Sequence, residues 1–310
     1  MKNKIAFILI LVFFTCFLSS IWGLELELSA GAGNISFNPG NDDYLGNDDP
    51  ANGITPKAYS PSLYLVADFR LAGDVWNNGY FSLGFERDSI LRNRLYGNMG
   101  FRLSYFSLEI GPFIGLMNTK QEMFRPGVST GFRMEFPGIL FAHIRAASSM
   151  GSAEGMPGNY SQRSGGFSAG FWAPNVICSF NIDMKSFALQ RNSGLFIEDS
   201  MSRYFFRADV SGADNPLSFV FDMGYGSLKR TYVTHEVPGA EIIREAPSDE
   251  VKFLFLGLKG AYSINPSLKV FISGEIPLYF WSVRPMKNPS KTDYLYNFSL
   301  GVTMNFRERQ

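Results

Sequence analysis

Segments of about ten residues in which every second position is apolar recur along this chain, and few folds accept that pattern repeated so often. Leu24, Leu26, Leu28, Ala30 and Ala32 alternate with Glu25, Glu27, Ser29 and Gly31. Leu63 to Leu71, Phe81 to Phe85, Met99 to Leu103, Leu108 to Ile110, Phe132 to Phe136 and Leu140 to Ala146 follow the same rule. Further candidate strands cover 166–173, 176–184, 201–211, 217–226, 251–262, 268–281 and 293–306, making about fourteen within a range of twelve to sixteen. With 31 Gly, 30 Phe and 14 Tyr and only 18% charged residues, the composition matches an all-β chain rich in turns.

The connections supply a second constraint. Long ones near 34–58, 88–94, 118–125, 149–165, 190–200, 227–249 and 283–292 alternate with tight links such as Tyr105-Phe106, Pro137-Gly138, Ala173 to Asn175, Gly212 to Pro216 and Ile264 to Ser267. An even number of antiparallel strands then leaves both termini at the short-turn end. This predicts a transmembrane up-and-down β-barrel with short periplasmic turns and long extracellular loops. A periplasmic β-sandwich also alternates, but nothing in it requires loop length to alternate by end.

Lys2 and Lys4 precede an apolar run from Ile5 to Leu18 and then Ser19 to Gly23, the layout of a secretory signal peptide. The expected organisation is therefore a cleaved segment 1–23, a barrel over 24–306 and a short periplasmic tail 307–310. Cleavage removes Cys16 and leaves Cys178 with no intramolecular disulfide partner. The 28 basic and 28 acidic residues give no basic footprint for nucleic acid.

In a barrel the apolar parity meets lipid and the polar parity faces the lumen. The lumen-lining candidates are Glu25, Glu27, Asp68, Arg70, Glu86, Arg102, Glu109, Arg133, Glu135, His143, Arg145, Arg207, Asp209, Asp222, Lys269 and Glu275. So many charges would be expensive to keep dry, and glycines 31, 84, 100, 111, 131 and 224 beside them fill no volume, which together predict a hydrated interior. Tyr59, Tyr80, Tyr96, Tyr105, Phe136, Tyr225, Tyr262, Trp281, Tyr294 and Phe306 gather near strand ends, as an aromatic belt would. Pro112 and Pro277 fall inside strands and predict bulges. Around Phe253 and Phe255 both parities are apolar, so the facing of that strand stays open.

The final segment, Ser299 to Phe306, resembles the carboxy-terminal β-signal of bacterial outer-membrane proteins, through Gly301, Met304 and Phe306. Met304 replaces the more usual aromatic, and Arg307 to Gln310 follow the residue that normally ends such chains. The resemblance implies recognition by the barrel-assembly machinery and residence in the bacterial outer membrane, against its lipids and lipopolysaccharide. Strand count makes the chain most similar to a monomeric fourteen-stranded porin. Fourteen-stranded fatty-acid transporters carry an amino-terminal plug, whereas the first strand here begins at Leu24. A loop such as 227–249 is long enough to fold inward as a constriction.

Catalysis has little to stand on. The two histidines are His143, read as a wall residue or as a group titrating near pH 6.5 that biases a gate, and His235, read as half of a solvated loop pair with Glu236. Two GNDD stretches, at 40–43 and 46–49, read as an acidic surface loop; Asn52 stands where a calcium loop needs glutamate. No cofactor and no metal is expected. The leading functional expectation is passive diffusion of small hydrophilic solutes, with a closed barrel anchoring a surface adhesin or envelope protein as the alternative. A hydrophobic-substrate transporter ranks third.

Overall fold

A computed structural model describes residues 22–33, 64–117, 123–154, 156, 158–192, 195–212, 215–234, 244–245, 249–284 and 296–306. The described residues form strands and turns only. The strands are β1 (Trp22–Gly33), β2 (Tyr64–Trp76), β3 (Gly79–Asp88), β4 (Arg92–Leu103), β5 (Phe106–Leu116), β6 (Phe124–Phe136), β7 (Leu140–Ser149) and β8 (Tyr160–Ala173). There follow β9 (Val176–Asn192), β10 (Leu195–Ser211), β11 (Leu217–Thr234), the two-residue β12 (Arg244–Glu245), β13 (Asp249–Asn265), β14 (Leu268–Arg284) and β15 (Asn297–Asn305). Apart from β12, which pairs only with the end of β11, each long strand is antiparallel to two others. β1 pairs with β15, and β11 joins β10 to β13. The ring is closed with fourteen members, so no edge is left unpaired.

Side chains alternate as the strands require. On β13, Leu254, Leu256 and Leu258 stand out from the wall while Val251, Phe253 and Phe255 are buried inside, which settles the facing of that strand. Outward apolar side chains ring the molecule: Ile110 is 63% exposed, Phe206 65%, Met223 61% and Leu300 56%, far more bare hydrocarbon than a water-soluble surface carries. Leu258 lies in the middle of the outward run from Leu254 to Ile264. Leu258→Arg is therefore expected to cost about 2–4 kcal/mol in a bilayer. Urea unfolding of vesicle-inserted protein measures it, and a loss no larger than that of a Lys252→Leu control would count against this face meeting lipid.

Pro277 accompanies an irregularity, the register stepping from Tyr279 to Pro277 opposite Leu254 and Phe255. Pro112 does not, for Ile110 and Phe113 hold one unbroken register against Met99 and Tyr96. The ladder between β4 and β5 simply omits the pairs between, so no donor is needed there.

Three expected long loops are corrected. Residues 88–94 reduce to the turn Ser89–Leu91, 190–200 to the two residues between β9 and β10, and the first part of 227–249 is strand up to Thr234. The strands of the second half are long: β9, β10, β13 and β14 have 17 residues each and β11 has 18, against about 9–11 needed to span a bilayer. Along the surplus the polarity of the two faces inverts. Outside, Met184 and Phe206 give way to Ser186, Glu198 and Ser200, with Ser186 donating to Glu198 at 2.6 Å. Inside, Asp183 and Lys185 give way to Phe187 and Leu189. That is the polarity of a water-soluble barrel standing on a membrane one.

The expected signal segment lies outside the described residues up to residue 21; so do the GNDD loop, His235, Cys16 and the tail 307–310.

Candidate functional site

The lumen has two halves. Toward the short turns it is a cavity of about 710 Å³, lined by ten of the candidates: Glu25, Asp68, Arg70, Glu86, Arg102, Glu109, Arg133, Glu135, His143 and Arg145. A smaller cavity of about 180 Å³ adjoins His143 and Arg145 and adds Arg207. Asp222 holds Arg207 by two hydrogen bonds of 2.8 Å, and Glu275 accepts one from Arg203. Glu27, Asp209 and Lys269 line neither cavity. Glu27 sits opposite Arg70 and Thr303, Lys269 opposite Thr303, and Asp209 opposite Val220.

Opposite charges interleave on this wall. Arg94 donates to Glu86 at 2.6 and 2.9 Å, Arg102 to Asp74 at 2.6 Å, Arg145 to Asp183 at 2.7 Å, and Arg133 pairs with Glu135 at 2.8 Å. The cations also rest on rings. Arg102 lies 4.5 Å from the Tyr80 centroid, Arg94 5.8 Å from that of Phe113, and Lys259 3.9 Å from that of Phe271. Guanidinium groups held by both a carboxylate and a ring stay against the wall and leave the centre open to water.

This arrangement corrects two expectations. Tyr80 and Tyr96 belong to the cavity wall instead of the aromatic belt. The belt near the short turns includes Tyr105 stacked on Phe136 at 5.1 Å and the exposed Tyr262 and Phe306. Tyr204 and Tyr225, 6.3 Å apart, mark its other side. Tyr59, Tyr294 and the side chain of Trp281 lie outside the described residues. The inward glycines are not empty volume either. A Cβ on Gly100 would lie 2.0 Å from Tyr80, and one on Gly84 2.3 Å from Tyr96, because each ring lies flat across the neighbouring strand's glycine. Gly301 seats Phe271 in the same way, its Cβ position falling 2.4 Å from the ring. Met304 follows on β15, and the Phe306 N–H donates to the Leu24 carbonyl at 2.9 Å.

Toward the long loops the lumen is filled. Ile90, Tyr160, Phe187, Leu189, Met201, Phe205, Leu228, Val251, Phe253 and Phe255, none more than 9% exposed, form one apolar core inside the ring. Ring centroids of Tyr160 and Phe187 are 6.1 Å apart, those of Phe205 and Phe255 5.9 Å. Arg203 lies 4.2 Å from the Phe255 centroid, at the junction of the two halves. Sequence reasoning missed Arg94, Lys185, Arg203, Asp88 and this core. Arg92, Arg94 and Tyr96 alternate with Asn93 and Leu95, which was signal enough for β4; the local trace of the core was the two-sided apolarity around Phe253 and Phe255.

A closed antiparallel ring with a continuous apolar belt outside decides the class. This is an outer-membrane β-barrel. Its apolar belt belongs against the acyl chains of a lipid bilayer. No protein-family model and no curated protein matches the chain. Among solved structures it is similar to a loop-deletion form of OmpT, an outer membrane protein of Vibrio cholerae, at 8% identity over 92% of this chain and 98% of that one, TM-score 0.42. A bacterial polysaccharide outer membrane secretin aligns at 12% identity over 92% and 98%, TM-score 0.43. The CymD monoaromatic hydrocarbon channel aligns at 7% over 93% and 90%, TM-score 0.39.

Proposed function

We propose that this barrel is a non-catalytic channel for small hydrophilic solutes, shut in the conformation described. The observation that carries the reading is the cavity of about 710 Å³ with its interleaved acids and bases. A barrel serving only as an anchor gains nothing by surrounding water with charge, since filled apolar packing closes a lumen at lower cost. The balanced wall supports weak selectivity between cations and anions. Gly301, Met304 and Phe306 support handling by the barrel-assembly machinery, and the outer belt supports contact with outer-membrane lipid and lipopolysaccharide.

The apolar core favours the second reading, a closed anchor for surface loops, and one experiment separates the two. In planar bilayers the wild type is expected to be silent most of the time. Phe187→Gly/Phe253→Gly, which empties the core, is expected to give steady ohmic conductance and to let small sugars swell proteoliposomes. A folded double variant that stays silent supports the anchor and sinks the channel.

A further inference from the structure

The turn Ser89–Leu91 joins β3 to β4, yet its contacts lie across the ring. Ile90, 1% exposed, belongs to the apolar core built by β8, β9, β10, β11 and β13, and Leu91 is fully buried. From β8, Gln162 donates to the carbonyls of Leu91 and, at 3.2 Å, Asn93. From β9, Lys185 donates to Asp88. From β10, Asp199 accepts from Arg92 at 3.4 Å, and the same carboxylate takes two hydrogen bonds from Arg230 of β11, at 2.5 and 2.8 Å. None of these four strands neighbours β3 or β4 in the ring. The turn therefore reaches over the mouth of the lumen.

It does so as a preformed piece. Asp88 Oδ1 accepts the N–H groups of Ile90 at 2.7 Å and Leu91 at 2.8 Å, and Arg92 donates to the Ser89 carbonyl at 2.8 Å. These bonds are internal to residues 88–92 and survive any movement of the turn as a body. Arg92 has φ of 66°, in the left-handed region that costs an ordinary side chain about 1–2 kcal/mol. The cross-lumen contacts hold it there. Asp199, with 2% of its side chain exposed, is the one acid shared by Arg92 and Arg230 among the described residues.

Building on the channel reading, we propose that Ser89–Leu91 is a stopper and Asp199 its latch. The passage opens when the turn leaves the apolar core as a unit, and the Arg92–Asp199–Arg230 cluster sets how often it does. Asp199 is the acid through which Arg92, at the foot of the turn, is tied to Arg230 of β11, so removing it should release the turn. Replacing all three with apolar side chains of similar volume puts packing in place of the ion pairs and should leave the turn where it is.

The test uses full-length protein in planar bilayers, each variant first shown to be folded by its heat-dependent gel mobility. Asp199→Leu is expected to raise open probability about tenfold or more over wild type. Arg92→Met/Asp199→Leu/Arg230→Met is expected to return it to within about twofold of wild type. In a Cys16→Ser/Cys178→Ser background, Leu91→Cys should resist a membrane-impermeant maleimide until Asp199→Leu is added. Should Asp199→Leu not fold, Ile90→Gly/Leu91→Gly takes its place, emptying the turn without touching charge, and it must conduct. If Phe187→Gly/Phe253→Gly conducts but Asp199→Leu and the emptied turn stay silent, the stopper is overturned and the channel stands. Silence of all the folded variants overturns the channel itself. A triple variant as open as Asp199→Leu overturns the latch.

Discussion

Phe253→Ala is expected to destabilise the folded barrel by about 3–5 kcal/mol, the range for deleting a buried ring whose surroundings relax little. Phe253 is 1% exposed, lies 6.1 Å from Phe255, and is seated so closely on β11 that a Cβ on Gly226 would fall 2.5 Å from its ring. Leu254, the next residue, is 45% exposed on the opposite face. Leu254→Ala should cost far less, because acyl chains refill the space that the methyl groups leave. Urea midpoints in lipid vesicles, read by tryptophan fluorescence, compare the two. Gly226→Val should also destabilise, by about 1–3 kcal/mol through the forced shift of the Phe253 ring. Equal losses at 253 and 254 would mean that the inward assignment of Phe253 is wrong.

That contrast also shows where the sequence is legible. Period-two alternation marks a two-sided strand, and it located all fourteen long strands and the closed antiparallel ring. It is blind to which side faces in. On β1 or β6 the polar side is the lumen, so alternation and facing agree. On β9 the inward series passes from Asp183 and Lys185 to Phe187 and Leu189 while the outward series turns polar, and the pattern reads as a strand ending at 184 followed by a loop. The same inversion hid the upper parts of β10 and β11 and made β13 seem apolar on both sides.

The charged wall was legible as a parity; its pairings were not. Arg203 meets Glu275, and Lys185 meets Asp88, only because the ring brings distant strands face to face. The turn Ser89–Leu91 was hidden differently. Asp88-Ser89-Ile90-Leu91 breaks the alternation and so reads as a loop, and only the buried partners across the lumen give Ile90 and Leu91 an apolar place. Glycine misled as well. A residue without a side chain reads as open volume, yet Gly84, Gly100 and Gly301 are small because a ring from the next strand occupies the space.

Asp199→Leu is expected to cost about 3–5 kcal/mol in the same unfolding experiment, the penalty for breaking a buried ion cluster by deleting one member. The carboxylate is 2% exposed and accepts from two guanidinium groups, which themselves have side chains only 7% and 10% exposed. Desolvating these charges is expensive, and deleting the acid that two guanidinium groups share leaves part of that expense without its offset. Arg92→Met/Asp199→Leu/Arg230→Met is accordingly expected to fall within about 1 kcal/mol of wild type or to exceed it. The three losses measured singly should sum to far more than the triple loss, as expected for groups in one network. If the single and triple variants lose the same stability, the cluster contributes by packing alone. The turn is then held by its other contacts, Ile90 and Leu91 in the core and Asp88 on Lys185, and the Asp199 cluster has no part in keeping the lumen shut.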